Sequence, residues 1–322
     1  MRRARRTSPL LTFVVLTMVI TGTTNAIADE KLEVLPVQGN VYMIAGGGGN
    51  TTVQIGPEAV VVVDTKTAAV TDELLDAIRK LSSKPIRHIV VTSADPDHTG
   101  GNERVSSAGT YVRLLDTFDP RGSDTDASIM AHVNVLQRMS SPSGTQAPTP
   151  AGAWPSDTYF TNDWALYVNN EGIQLLHIPA AHTDGDTMVF FRRSDVISTG
   201  DIFTTTGYPR FDPEKGGSVA GILNGLNRIL EIAIPGENQT GGTAVVPGHG
   251  RISDETEVAN YRDMVTIIRD RVAALIAAGM TLEQVQAARP SSDYDGIYAG
   301  LGGPTPEEFV AGVYRDLKGA QP

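Results

Sequence analysis

Cysteine is absent from the 322-residue chain. No disulfide can brace the fold, so stability must come from packing, and any metal must be held by imidazole and carboxylate. Positive charge is also scarce: 26 Lys and Arg face 37 Asp and Glu, a formal net charge of −11. Nucleic acid and anionic membrane surfaces reward clustered cations, so neither is an expected partner, and the acidic excess reads as solvated surface. Long apolar runs are missing too. The one near the start, Leu10 to Ile20, falls short of the roughly 20 apolar residues that a membrane span needs. It follows four arginines and leads into small residues ending Ala26-Ile27-Ala28. That order is the pattern of a secretory signal peptide, with cleavage expected after Ala28. Residues 29–322 are then expected as a soluble periplasmic or secreted domain without stable membrane association. No phosphate-loop pattern is present either, because Gly46–Gly49 leads into a strand-like run rather than a helix.

What is there reads as alternating strands and helices. NVYMIA at 40–45 and TTVQI at 51–55 suggest a hairpin with a glycine tip, and AVVVVDT at 59–65 a strand buried on both faces. Apolar spacing predicts a helix over 70–81, capped by Thr71 or Asp72, then a strand at 86–91. A helix is predicted near 126–139, followed by a Pro/Gly/Ser/Thr-rich flexible insertion at about 140–157. Further strands are expected at 165–168, 172–178, 187–191, 195–199 and 243–246. Helices are expected at 221–234 and, closing the chain, over about 254–318.

Chemistry concentrates at the ends of those strands. Of six histidines, His98 in TSADPDHTGGN, His182 in AAHTDGD and His249 in PGHG each lie in a loop directly after an apolar run, and Asp201 in STGDIF occupies the same kind of position. Four strand ends meeting on one rim would assemble a metal site from distant sequence. His88 and His177 lie inside strand-like runs and read as packed residues, whereas His132 reads as surface. Asp64, at the end of a strand, reads as a loop brace, and Asp184 and Asp186 read as turn residues, with Asp186 able to orient an imidazole.

VVVVDT, TSADPDHTGGN, HTDGDT, the Gly200-Asp201 pair and PGHG, in that order, resemble the metallo-β-lactamase superfamily of metal-dependent hydrolases from about Asn40 to Arg251. The resemblance implies an α/β fold, a four-layer αββα sandwich with its active site at one edge between the two sheets. In the family the loop usually reads T-H-x-H-x-D-H-x-G-G. Its two leading histidines and the histidine matching His182 hold one ion, while residues matching Asp97, His98 and His249 hold another, often bridged by the residue matching Asp201. Here Ser93 and Asp95 stand in place of the leading histidines. Serine is a poor ligand because its hydroxyl must first lose a proton, whereas a carboxylate can replace imidazole, especially for harder ions. The expectation is one tight Zn²⁺ site at Asp97, His98 and His249, and a weaker second at Asp95, His182 and Asp201, with Mn²⁺ or Fe²⁺ as alternative ions.

Such a site implies hydrolysis of an ester, thioester, amide or lactam bond in a small-molecule substrate, with water activated by the ion and Asp97 or Asp95 moving protons. Tyr208, Arg210 and Asp212, in the segment after Asp201, are the candidate substrate contacts, and the glycine tip is a candidate mobile flap. The alternative is a non-catalytic metal- or ligand-binding protein on the same fold, motivated by Ser93 and Asp95.

Overall fold

The computed structural model describes residues 31–110, 126–141 and 148–319, so the expected signal peptide and residues 142–147 of the expected insertion lie outside the described residues. The chain runs β1 (Glu33–Gln38), β2 (Val41–Ala45), β3 (Thr51–Ile55), β4 (Val60–Val63), α1 (Thr71–Leu81), β5 (Ile86–Val90), α2 (Pro96–Thr99), α3 (Asn102–Ser107), β6 (Ser128–His132), α4 (Val133–Ser140) and β7 (Asp157–Tyr159). The second half follows as β8 (Asp163–Val168), β9 (Glu171–His177), β10 (Thr187–Phe191), β11 (Val196–Ser198), α5 (Val219–Ile232), β12 (Ala244–Val246), α6 (Glu255–Ala277), α7 (Leu282–Ala287), α8 (Asp295–Tyr298) and α9 (Pro306–Gly319).

The first half forms a seven-stranded sheet in sequence order, and the second a five-stranded sheet ordered β12-β11-β10-β9-β8. Strand periodicity explains why two sheets stack. In β4, Val61 and Val63 face the core shared with the second sheet, while Val60 and Val62 face the helices outside. The inter-sheet core joins Val41, Met43 and Val90 of the first sheet to Ile173, Leu175, Val189 and Phe191 of the second. α1, α3 and α4 cover the first sheet through Leu74, Ile78, Val105 and Val135. α5, α6, α7 and α9 cover the second through Ile222, Leu226, Val265, Val285 and Phe309. The result is the expected αββα sandwich.

Two local readings change. The predicted helix over 126–139 is β6 followed by α4, because Ser128, Ile129 and Met130 pair in parallel with His88, Ile89 and Val90. α1 begins at Thr71 after a short 3-10 turn, with Val70 rather than a polar side chain at its cap position. Within the expected insertion, residues 151–153 form a 3-10 turn that buries Ala153, and the Trp154 indole donates to Thr149 O at 2.7 Å.

Strand direction places the site. β9 and β11 both run antiparallel to β10, and β12 runs parallel to β11. Their C-terminal ends therefore lie on one edge of the second sheet, whose loops carry His182, Asp201 and His249. On the first sheet β4 and β5 are parallel and end at Asp64 and at the loop carrying Asp95, Asp97 and His98. Thr187 N donates to Thr92 O at 2.9 Å, tying the two edges together.

Candidate metal centre

Pro96 at the first helical position coils residues 96–99 into a single turn, closed by His98 N and Thr99 N on Asp95 O. This turn brings both Asp97 and His98 to the rim. His98 is fully buried. Asp64 takes three hydrogen bonds: from Thr92 N at 2.8 Å, Thr92 Oγ1 at 2.6 Å and His98 Nδ1 at 2.7 Å. A carboxylate only accepts, so the His98 proton sits on Nδ1 and the Nε2 lone pair is directed at the rim, 3.3 Å from Asp201 Oδ1. Asp64 thus braces the Thr92 loop, as read from sequence, and also fixes a candidate ligand.

The remaining residues converge. His249 Nε2 lies 3.2 Å from Asp97 Oδ2 and 3.4 Å from Asp201 Oδ1. His182 Nε2 lies 3.5 Å from Asp95 Oδ2, and its Nδ1 is 3.9 Å from Asp201 Oδ2. Two sets, Asp97–His98–His249 and Asp95–His182–Asp201, each bring three ligand atoms within 4.8 Å of one another. All six predicted ligands are therefore in one place.

The donor set fits a metal ion. His98 Nε2, His182 Nδ1 and Asp201 Oδ1 are buried without a hydrogen-bond partner. Buried polar atoms left unpaired are costly, and His98 Nε2 lies 3.3 Å from Asp201 Oδ1, a separation that a shared cation would satisfy. The electrostatics agree. Burial opposes charge on Asp201, yet His98, His182 and His249 hold its carboxyl well below the usual carboxylate range. Burial likewise works against charge on His98, but Asp201 and Asp64 raise it well above its ordinary value. His182 is raised against burial by Asp186, Asp201 and Asp95. Asp97 is held low against burial by its bond with His249 and by His98.

The far end of the glycine tip, the candidate flap, is hydrogen-bonded to the rim at Gly49 and Asn50. Gly49 N donates to Asp97 O at 3.2 Å and Asn50 N to Gly248 O at 2.7 Å, and the Asn50 amide donates to Pro247 O and Gly250 O. Fully buried Lys66 donates to Gly49 O at 2.8 Å. A Cβ on Gly49 would stand 2.9 Å from His98 Cε1, so only glycine permits this approach.

A cavity of about 380 Å³ opens over the cluster, lined by Asp95, Asp97, His182, Asp201 and His249 and walled by Thr204, Tyr208, Arg210 and residues 301–303. Gly303 N donates to Thr206 O at 2.9 Å, stitching the two walls. Arg210 sits at the mouth with its guanidinium on Gly302 O at 3.1 Å. Tyr208 stands in the cavity wall, as a candidate substrate contact should, but its hydroxyl is engaged elsewhere. The ring is fully buried, stacked on Phe309, and its hydroxyl donates to Asp295 Oδ1 at 2.9 Å. Asp212 lies in an adjoining cavity and caps the 3-10 turn Pro213–Lys215 through bonds from Glu214 N and Lys215 N.

Ser93 is buried, and its Oγ accepts from Asp95 N at 3.4 Å. His132, expected at the surface, is 5% exposed and stacks on His177 with ring centroids 3.6 Å apart. Asp186 is occupied by Thr183, with its Oδ1 3.8 Å from His182 Nδ1. Sequence reasoning missed Lys215, whose Nζ donates to Asp95 Oδ1 at 3.0 Å.

The profile of the metallo-beta-lactamase superfamily matches residues 35–262, a stretch that contains every residue of the cluster. The chain belongs to that superfamily. No curated protein matches the sequence. Among solved structures, the stereoselective inverting sec-alkylsulfatase Pisa1 from Pseudomonas sp. superposes with a TM-score of 0.64 at 15% identity, over 90% of this chain and 51% of that one. The chain thus spans about half the length of that sulfatase. A metallo-beta-lactamase from Pontibacter korlensis superposes with a TM-score of 0.54 at 14% identity, over 73% of this chain and 99% of that one. The DIM-1 metallo-beta-lactamase gives 0.53 at 18% identity, over 73% and 97%. At such identities the likeness establishes the fold. Members of the superfamily are mostly hydrolases and typically bind metal ions, commonly zinc.

Proposed function

We propose that this chain is an exported metal-dependent hydrolase that cleaves an ester, thioester, amide or lactam bond in a small molecule. The observation that carries the reading is the pair of unpaired buried atoms His98 Nε2 and Asp201 Oδ1, 3.3 Å apart, beside a cavity that Asp201, Asp97 and His249 line. Asp97, His98 and His249, with Asp201 beside them, would hold one zinc ion, and Asp95, His182 and Asp201 a second, weaker one. A bound ion supplies Lewis acidity and lowers the pKa of water toward neutrality. Asp64 keeps the His98 lone pair presented. Asp97 lines the cavity and is the carboxylate placed to take up and return protons from a substrate, a role open to Asp95 where it does not serve as a ligand. Arg210 at the mouth suits a substrate with an anionic group. Export rests on the order of charged, apolar and small residues in 1–28.

A non-catalytic binding protein is the second reading, favoured by Ser93 at a ligand position and by the ion pair that already engages Asp95. One experiment separates the two. Purified protein is assayed on chromogenic esters, sulfate esters, thioesters and lactams with zinc, manganese or iron, beside His98→Ala and His249→Ala. Metal-dependent turnover lost in both variants supports the hydrolase. Stoichiometric metal without turnover on any substrate supports the binding protein. Metal retained in the double variant Asp97→Ala/His249→Ala would refute the site itself.

A further inference from the structure

The two ligand sets differ in what their carboxylates are doing. Asp97 turns Oδ2 to His249, whereas Asp95 presents Oδ2 to His182 while Oδ1 accepts from Lys215 Nζ at 3.0 Å. Lys215 is not a roaming surface chain. It ends a 3-10 turn capped by Asp212, its carbonyl accepts from Asp184 N at 2.9 Å and from the Arg138 guanidinium, and Asp212 Oδ2 lies 3.4 Å from its ammonium. The ammonium is thus delivered to Asp95 by backbone that is anchored on both sides.

We infer that Asp95 and Lys215 act as one unit: a carboxylate whose charge is offset by a resident ammonium, so that the Asp95–His182–Asp201 set is tuned to low affinity and the chain fills Asp97–His98–His249 first. The inference rests on the metal-binding reading above. An aspartate at this position adds a negative charge that an imidazole would not bring, and Lys215, which Asp95 shares with Asp212, offsets part of it. A protonated amine has no lone pair and cannot itself ligate. Any divalent ion on Asp95 Oδ2 must share that carboxylate with a like charge on Oδ1, and like charges this close oppose each other most where water is partly excluded. Lys215 therefore subtracts from the attraction that Asp95, Asp97 and Asp201 would jointly exert on a second ion. If Lys215 served only to orient Asp95, its loss would weaken the second ion instead, which gives the inference a definite sign.

The test titrates metal-free mature protein with Mn²⁺ and Zn²⁺ by calorimetry and measures ions per chain after equilibrium dialysis. The parent should take up one ion tightly and a second weakly. Lys215→Met, which keeps the apolar stem, should bind the second ion about tenfold or more tighter while the first stays within roughly threefold. Lys215→Gln provides a second neutral side chain should the methionine variant not fold, Lys215→Arg should behave as the parent, and Asp95→Asn/Lys215→Met should lose the gain. An unchanged or weaker second ion in the neutral variants overturns the inference while leaving the metal site intact. No uptake of a first ion by the parent would overturn both.

Discussion

Replacing Asp64 by Asn isolates the role of the one side chain that decides which nitrogen of His98 faces the rim. The backbone at 64 is left-handed, with φ at 63°, and asparagine tolerates that region, so the change alters charge without straining the chain. Asp64 Oδ1 accepts from Thr92 N, while Oδ2 accepts from Thr92 Oγ1 and His98 Nδ1. An amide oxygen facing Thr92 N leaves its NH₂ facing His98 Nδ1, which forces the imidazole proton onto Nε2 and points N–H, not a lone pair, at Asp201. The opposite amide rotamer sets NH₂ against the Thr92 N–H. Loss of a hydrogen-bond partner that orients a ligand costs about 10- to 100-fold in metal affinity, or roughly 1.4–2.7 kcal/mol. The assay is competition for zinc against a chromophoric chelator, with the parent and Thr92→Val as controls. Thr92→Val leaves the His98 bond in place and should stay within about threefold of the parent. A zinc affinity for Asp64→Asn within about threefold of the parent would refute the argument that Asp64 sets the His98 tautomer.

Gly49→Ala should lower zinc affinity by at least about tenfold, since its Cβ would stand 2.9 Å from His98 Cε1; a folded variant with parental zinc titration would contradict this. Tyr208→Phe should lower stability by about 1 kcal/mol in urea melts, because the bond to Asp295 is lost, while KM stays unchanged on any substrate found; a large KM effect would restore Tyr208 as a substrate contact. Burial, then the neighbouring His177, depress His132 from 6.5 to about 4. Its charged form is thus disfavoured in the folded state, so the stability it protects is complete above pH 6.5 and is lost as pH falls toward 4. After allowing for solvent screening, the loss should reach about 1–2 kcal/mol. His132→Asn, which can still cap α4, should flatten that part of the stability–pH curve, and an unchanged slope would count against the assignment.

The six candidate ligands were legible because each follows a strand in a short polar loop, and the parallel and antiparallel pairings that gather those loops follow from the order of strands. α1 and α5 were legible from apolar spacing. β6 was not, since Ser128–His132 reads like the helix formers around it, and only pairing with β5, some forty residues earlier, extends it. Tyr208 looked available because nothing local signals that Asp295, 87 residues on, takes its hydroxyl. Lys215 reaches Asp95 across 120 residues, and no spacing rule links a turn lysine to a distant carboxylate.

Residues 301–303 border the cavity yet lie beyond residue 262, where the superfamily pattern ends. Part of the surface that would meet a guest molecule is therefore written outside the portion of the gene product that would grip the ion, although Thr204 and Arg210 of the same wall lie within it. Changes in the terminal portion can reshape admission to the cavity without touching any of the six ligand side chains.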